Sequence, residues 1–162
     1  MTLEHAHGRL VVWCSLLIGL LFELMPIPDV IVPFRPDWLL LILIYWSMAL
    51  PHRYNILTAF VMGTLLDVLL GAHLGVRSLA FSLTIYLIVM NFQRLRTFPF
   101  LQQAVLIGSA LCCYHLIVFW VQFLIDRPPF NIELLLPAVS GMILWRWIYW
   151  LLRRLRRRYK VK

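Results

Sequence analysis

An all-α integral membrane protein of six transmembrane helices, with both termini cytoplasmic, is the fold class this sequence predicts. Three observations predict it. Hydrophobic residues make up 62% of the 162 residues and charged ones 14%, with a mean hydropathy of +0.85, whereas a soluble domain averages about half apolar and a quarter charged. The apolar residues gather in runs separated by short polar or proline-containing connections. Basic residues favour alternate connections, the pattern that orients a polytopic chain. With those runs removed, no length remains for a soluble catalytic domain. The net charge of +8 comes largely from the stretch Arg153 to Lys162 and so says little about the body of the protein.

The spans are expected at about 10–25, 37–50, 56–71, 78–92, 101–125 and 137–152, followed by a basic tail at 153–162. The polar head and the run Leu10 to Met25 resemble the start of a signal peptide. No small-x-small cleavage site follows, so this is a retained helix, ended by Pro26 and Pro28. Arg35-Pro36-Asp37-Trp38 reads as a helix start, with a capping aspartate and an interfacial tryptophan. The second run is short: at 1.5 Å per residue it covers about 20 Å of a roughly 30 Å core, which leaves a re-entrant path open. The third run ends in Gly71-Ala72-His73-Leu74-Gly75, whose glycines suit positive backbone angles. Gln93-Arg94-Leu95-Arg96 is a basic connection, the fifth run is the longest, and the sixth is rich in tryptophan.

Six spans place Arg9, Arg53, Arg94, Arg96 and the seven basic residues of the tail on the side of the termini. Arg35, Arg77 and Arg127 fall on the other side, so the termini are cytoplasmic by the excess of arginine and lysine. Were the second run not to cross, the count would be five and the N-terminal head would lie outside.

The stretch Ala59 to Gly75 stands out. It carries a carboxylate, Asp67, inside an apolar run, with Gly63 four residues before it and Gly71 and Gly75 after it. A carboxylate in hydrocarbon costs several kcal/mol unless it is paired or hydrated, which marks it as functional by default. Glycines on the same face admit a neighbouring backbone. The plainer alternative is that Asp67 caps the next helical turn and the glycines only pack helices.

Two other ionisable groups lie within runs, His115 and Arg146, both possible intramembrane polar partners of Asp67. Measured from the cytoplasmic end, Asp67 lies about 16 Å deep, His115 about 20 Å and Arg146 about 9 Å. Asp67 and His115 meet if their helices pack together, and an aspartate–histidine pair can relay protons. Arg146, among Trp145, Trp147, Tyr149 and Trp150, has an ordinary alternative as a side chain reaching from an aromatic belt to the interface. Arg153, Arg154, Arg156, Arg157 and Arg158 follow directly after a span and are placed to contact anionic lipid. Cys14, Cys112 and Cys113 lie in apolar runs without metal spacing and read as small buried residues. There is no nucleophile–base set, no phosphate-cradling glycine loop, no cofactor motif, and no fold to present nucleic-acid bases, so enzymatic chemistry is not expected.

The segments Phe34-Arg35-Pro36-Asp37-Trp38 and Ala49-Leu50-Pro51-His52-Arg53, and above all Gly63-x-x-x-Asp67-x-x-x-Gly71-x-x-x-Gly75-Val76-Arg77, resemble the MreD family of rod-shape-determining proteins. The similarity runs through nearly the whole chain. It implies an inner-membrane component of the cell-elongation machinery, working with MreC, MreB filaments, the RodA glycosyltransferase and a class B penicillin-binding protein to direct peptidoglycan insertion. It also implies a six-helix bundle like the S components of vitamin transporters, whose ligand pocket opens outward, the side toward which Asp67 lies. The leading expectation is a non-catalytic scaffold. In it Gly63, Gly71 and Gly75 line a groove for the N-terminal helix of MreC, and Asp67, in the motif that ends at Arg77, sets the register. The alternative is a small-molecule or lipid-binding membrane protein of S-component type, and a third is a proton-coupled transporter using Asp67 and His115.

Overall fold

A computed structural model describes residues 3–159 and 161, with side chains described from residue 9. The described residues form helices and no strand: α1 (Leu3–Leu24), α2 (Trp38–Ala49), α3 (Ile56–Leu69), α4 (Val76–Met90), α5 (Phe92–Thr97), α6 (Phe100–Asp126) and α7 (Leu136–Arg158). Single 3-10 turns at Val32–Phe34 and Ile132–Leu135 lead into α2 and α7. Helix ends fall where the chemistry stops them. Asn55 caps α3 by accepting the Leu57 N–H, and Pro99 precedes α6. Two features differ from the expected layout. The basic connection folds as the short helix α5, and Arg153–Arg158 continue α7 rather than forming a separate tail. Lys160 and Lys162, also assigned to that tail, lie outside the described residues.

The shortest of the expected spans is the centre of the bundle. Every residue from Leu39 to Ala49 is buried, as expected of a helix that is apolar all round. α1, α4, α5 and α7 surround it. Trp46 anchors it by donating its indole N–H to Ser15 Oγ on α1 at 2.8 Å, and the Ser15 hydroxyl in turn donates to the Val12 carbonyl at 2.7 Å. Outside this core the chain runs α3 against α4, α4 against α6, and α6 against α7. α3 is the outlier: α4 is its principal neighbour and it meets other helices only marginally.

The outer faces are apolar. Leu17, Leu21, Phe60, Val68, Leu101, Leu124, Ile143 and Trp147 are exposed on four different helices, far more apolar surface than a water-facing monomer tolerates. Two helical segments, Phe100–Asp126 and Ile132–Arg158, have the length and composition to cross a bilayer, and α3 and α4 are shorter apolar helices.

Candidate functional site

Two opposite characters separate the ends of the bundle. One end collects Glu23, Arg35, Asp37, Asp67, Arg77 and Asp126, where α1, α3 and α6 finish and α2 and α4 begin. The other collects Arg96 and the arginines of α7.

The first end is organised by the turn between α3 and α4. Gly71 (φ 63°) and Gly75 (φ 99°) take left-handed backbone angles that fold α4 back alongside α3. Gly75 is the N-cap of α4 and has no side chain with which to bond the free amides of the first turn. Asp67, on the last turn of α3 and fully buried, supplies the acceptor instead. Its carboxylate accepts the N–H of Gly75 at 3.0 Å, of Arg77 at 3.2 Å and of Ser78 at 3.4 Å, together with the Ser78 hydroxyl at 3.4 Å. The Arg77 guanidinium lies 3.8 Å away. A negative charge at the positive end of a helix, saturated by amides, is a stable way to keep a carboxylate out of water.

Gly63, one turn before Asp67, is pressed against the same place. A Cβ there would lie 2.6 Å from Ser78 Cα and 2.9 Å from Ser78 N, so only glycine lets the two backbones approach this closely. Thr64 Oγ1 and Ser78 Oγ share a hydrogen bond at 2.8 Å. The close approach that the sequence assigned to a partner helix is therefore made at Gly63 by the chain's own α4. Gly71 and Gly75 have open space where a Cβ would be; their role is conformational. His73, on the same turn, bonds Asp126 at 3.0 Å and ties the turn to the end of α6.

His115 does not reach Asp67. Its Nε2 lies 2.7 Å from Asp37 Oδ2, both side chains being mostly buried. This corrects the expected Asp67–His115 pairing, and the reason is valence: the Asp67 oxygens already face the α4 amides. Asp37 likewise departs from its expected role. It occupies the N-cap position of α2 without bonding the helix amides, because its carboxylate turns to α6. Tyr114 packs its ring against His115 at 4.9 Å and against Phe81 at 5.3 Å. Arg35 donates to the last carbonyls of α1, at Phe22 (2.6 Å) and Glu23, closing that helix. Glu23 Oε2 and Arg35 Nε are buried without a partner.

Arg146 is also far from Asp67 in role. It is exposed and lies 5.5 Å from the Phe100 ring, a cation over an aromatic face. Arg153 and Arg154 sit similarly over Tyr149 and Trp150, and Arg157 and Arg158 are exposed on the last turn of α7. In the connection before α3, burial raises the Tyr54 phenol above its ordinary value, while Arg53 and Arg9 lower it.

Gly63, Asp67, Gly75 and Arg77 thus meet at one lock between α3 and α4, with Gly71 in the same turn. Ser78, which Gly63, Thr64 and Asp67 all meet, was not singled out by sequence reasoning. A standard capping signal places the acceptor within a few residues of the helix start, whereas here it sits eleven residues before Ser78. The Asp37–His115 pair, separated by 78 positions, left no local signal either.

Comparison with known proteins follows the same direction as these residues. A family model described as rod shape-determining protein MreD matches residues 4–155. The rod shape-determining protein MreD of Haemophilus influenzae is 33% identical over 144 residues, covering 89% of each chain. No solved structure matches.

Proposed function

The chain belongs to the MreD family of rod shape-determining proteins, and on that premise we propose that it is a non-catalytic inner-membrane scaffold of the cell-elongation complex. In this role it crosses the membrane six times with both termini in the cytoplasm. It binds MreC and links MreB filaments to peptidoglycan synthesis by RodA and its class B penicillin-binding protein. The observation that supports the scaffold reading is the position of α3. This helix is held by α4 alone to any extent, and the rest of its circumference shows Leu57, Phe60, Val61, Leu65 and Val68. An apolar helix with one neighbour is placed to pack a second one from another chain.

The motif residues act in this proposal by holding that helix in place. Asp67 and Gly63 bind α3 to α4 from the inside, and the partner helix approaches from the outside. A photocrosslinking residue at Phe60 or Val68 is expected to capture MreC, while one at Leu101 on α6 is not. Equal capture from both faces, or none from α3, would overturn the assignment.

A second reading, a small-molecule or lipid-binding protein of S-component type, draws support from the partnerless Glu23 Oε2 and Arg35 Nε. They lie at the end of the bundle where S components open to their ligand. Mass spectrometry of the purified protein separates the two: a retained compound released by Glu23→Gln favours this second reading.

A further inference from the structure

The basic end of the bundle holds a half-open recess that the scaffold role does not use. It holds about 260 Å3 and is lined by Tyr45 and Ala49 of α2, Arg96 of α5, and Tyr149, Arg153 and Arg156 of α7. Its shape follows from helix length. α2 stops at Ala49 while α7 continues beside it to Arg158, so the short central helix leaves a recess under the long outer one.

The walls are held in place. Arg96 donates through Nη2 to the Ala49 carbonyl at 2.6 Å, using the negative end of α2 as its support. Arg153 lies 6.0 Å from the Tyr149 ring, and Arg156 donates through Nε to the Val161 carbonyl at 3.4 Å. A guanidinium carries five donors, so these contacts leave several on each arginine for another group. Among the described residues no carboxylate lies within 4 Å of Arg96, Arg153 or Arg156. The described carboxylates Glu23, Asp29, Asp37, Asp67, Asp126 and Glu133 belong to the opposite end. Three like charges facing one half-open recess repel one another and favour an anion between them.

We propose that this cavity binds a phosphate mono- or diester. Guanidinium groups match phosphate oxygens in pairs, which a point charge does not. The phenols of Tyr45 and Tyr149 add hydroxyl donors to the lining of the recess. Since a single water needs about 10–15 Å3 of such space, a tetrahedral phosphate with its ester arms fits. The phosphate comes either from the headgroup of an anionic phospholipid or from a soluble phosphate compound. The proposal does not depend on which face α3 offers to a partner.

The test compares two double variants that lose the same charge. R153Q/R156Q empties two walls of the cavity and leaves Arg96, which ties α5 to α2, untouched; R157Q/R158Q removes two arginines that do not line it. Delipidated full-length protein is incubated with vesicles of phosphatidylglycerol or phosphatidylcholine at high salt, and retained lipid is counted by native mass spectrometry. Thermal midpoints are read in parallel with inorganic phosphate against chloride at equal ionic strength.

For a lipid source, R153Q/R156Q loses phosphatidylglycerol retention by about fivefold per arginine, and R157Q/R158Q loses far less because neither of its arginines lines the recess. For a soluble source, inorganic phosphate raises the midpoint of the unaltered protein and R153Q/R156Q abolishes the rise, with no selective lipid retention. Equal losses in both variants, or an unaltered protein that responds to neither anion, would overturn the proposal.

Discussion

Replacing Asp67 by leucine removes the acceptor for three backbone amides and a hydroxyl in one step. The Ser78 amide is buried and has no water to turn to, which costs about 1–3 kcal/mol. The Gly75 and Arg77 amides are half-buried, and their loss resembles that of an N-cap, about 0.5–2 kcal/mol. Arg77, with its side chain 25% exposed, is screened once its carboxylate is gone and adds under about 1 kcal/mol. The α3–α4 pair should therefore weaken by about 2–5 kcal/mol, lowering the thermal midpoint by about 5–20 °C at about 2–4 °C per kcal/mol for a chain of this size. Asp67→Asn keeps one acceptor oxygen and should show roughly half the effect. Hydrogen exchange locates the change: the Arg77 and Ser78 amides in D67L should exchange at least about thirtyfold faster, since each 1.4 kcal/mol is tenfold. Unchanged protection of those two amides would refute the lock, whatever happens to the midpoint.

Four other single substitutions probe neighbouring parts of the same end. Gly63→Ala forces a methyl to within 2.6 Å of the Ser78 backbone and should cost about 1–3 kcal/mol, read as a lower thermal midpoint and lost protection along α3. Gly75→Ala meets no steric obstacle but keeps a φ of 99°, so its cost of about 1–2 kcal/mol is purely conformational; Gly71→Asn, at φ 63°, should be nearly neutral. His115→Leu strands the mostly buried Asp37 carboxylate and should lower stability by about 3–5 kcal/mol, with much of the loss recovered in the double variant H115L/D37L.

What could be read from the sequence divides along a physical line. The all-helical class followed from composition and from the spacing of prolines and glycines, because those act locally. Gly63, Asp67 and Gly75 could be singled out for a related reason: a charge in an apolar run and glycines at helical spacing are visible without tertiary structure. What answers the charge could not be read, since the amides of residues 75–78 belong to every residue type and carry no sequence signature. Which carboxylate His115 meets could not be read for a similar reason. Depth along a helix is computable from the sequence, but the direction a helix face points is not, and His115 faces Asp37 rather than Asp67. α2 adds another case. Its shortness left a re-entrant path open beside the six-span reading, and its place at the centre of the bundle emerges only once its neighbours are in place.

That enclosure has a bearing on biogenesis. During synthesis α2 emerges directly after α1, well before the helices α4 and α7 that complete its coat. Until then the nascent chain holds a stub about 18 Å long, paired with α1 on one flank and bare on the rest. Maturation therefore closes from the C-terminal side inward, and a polypeptide truncated before α7 would present quality-control proteases with an unfinished core instead of a smaller working bundle.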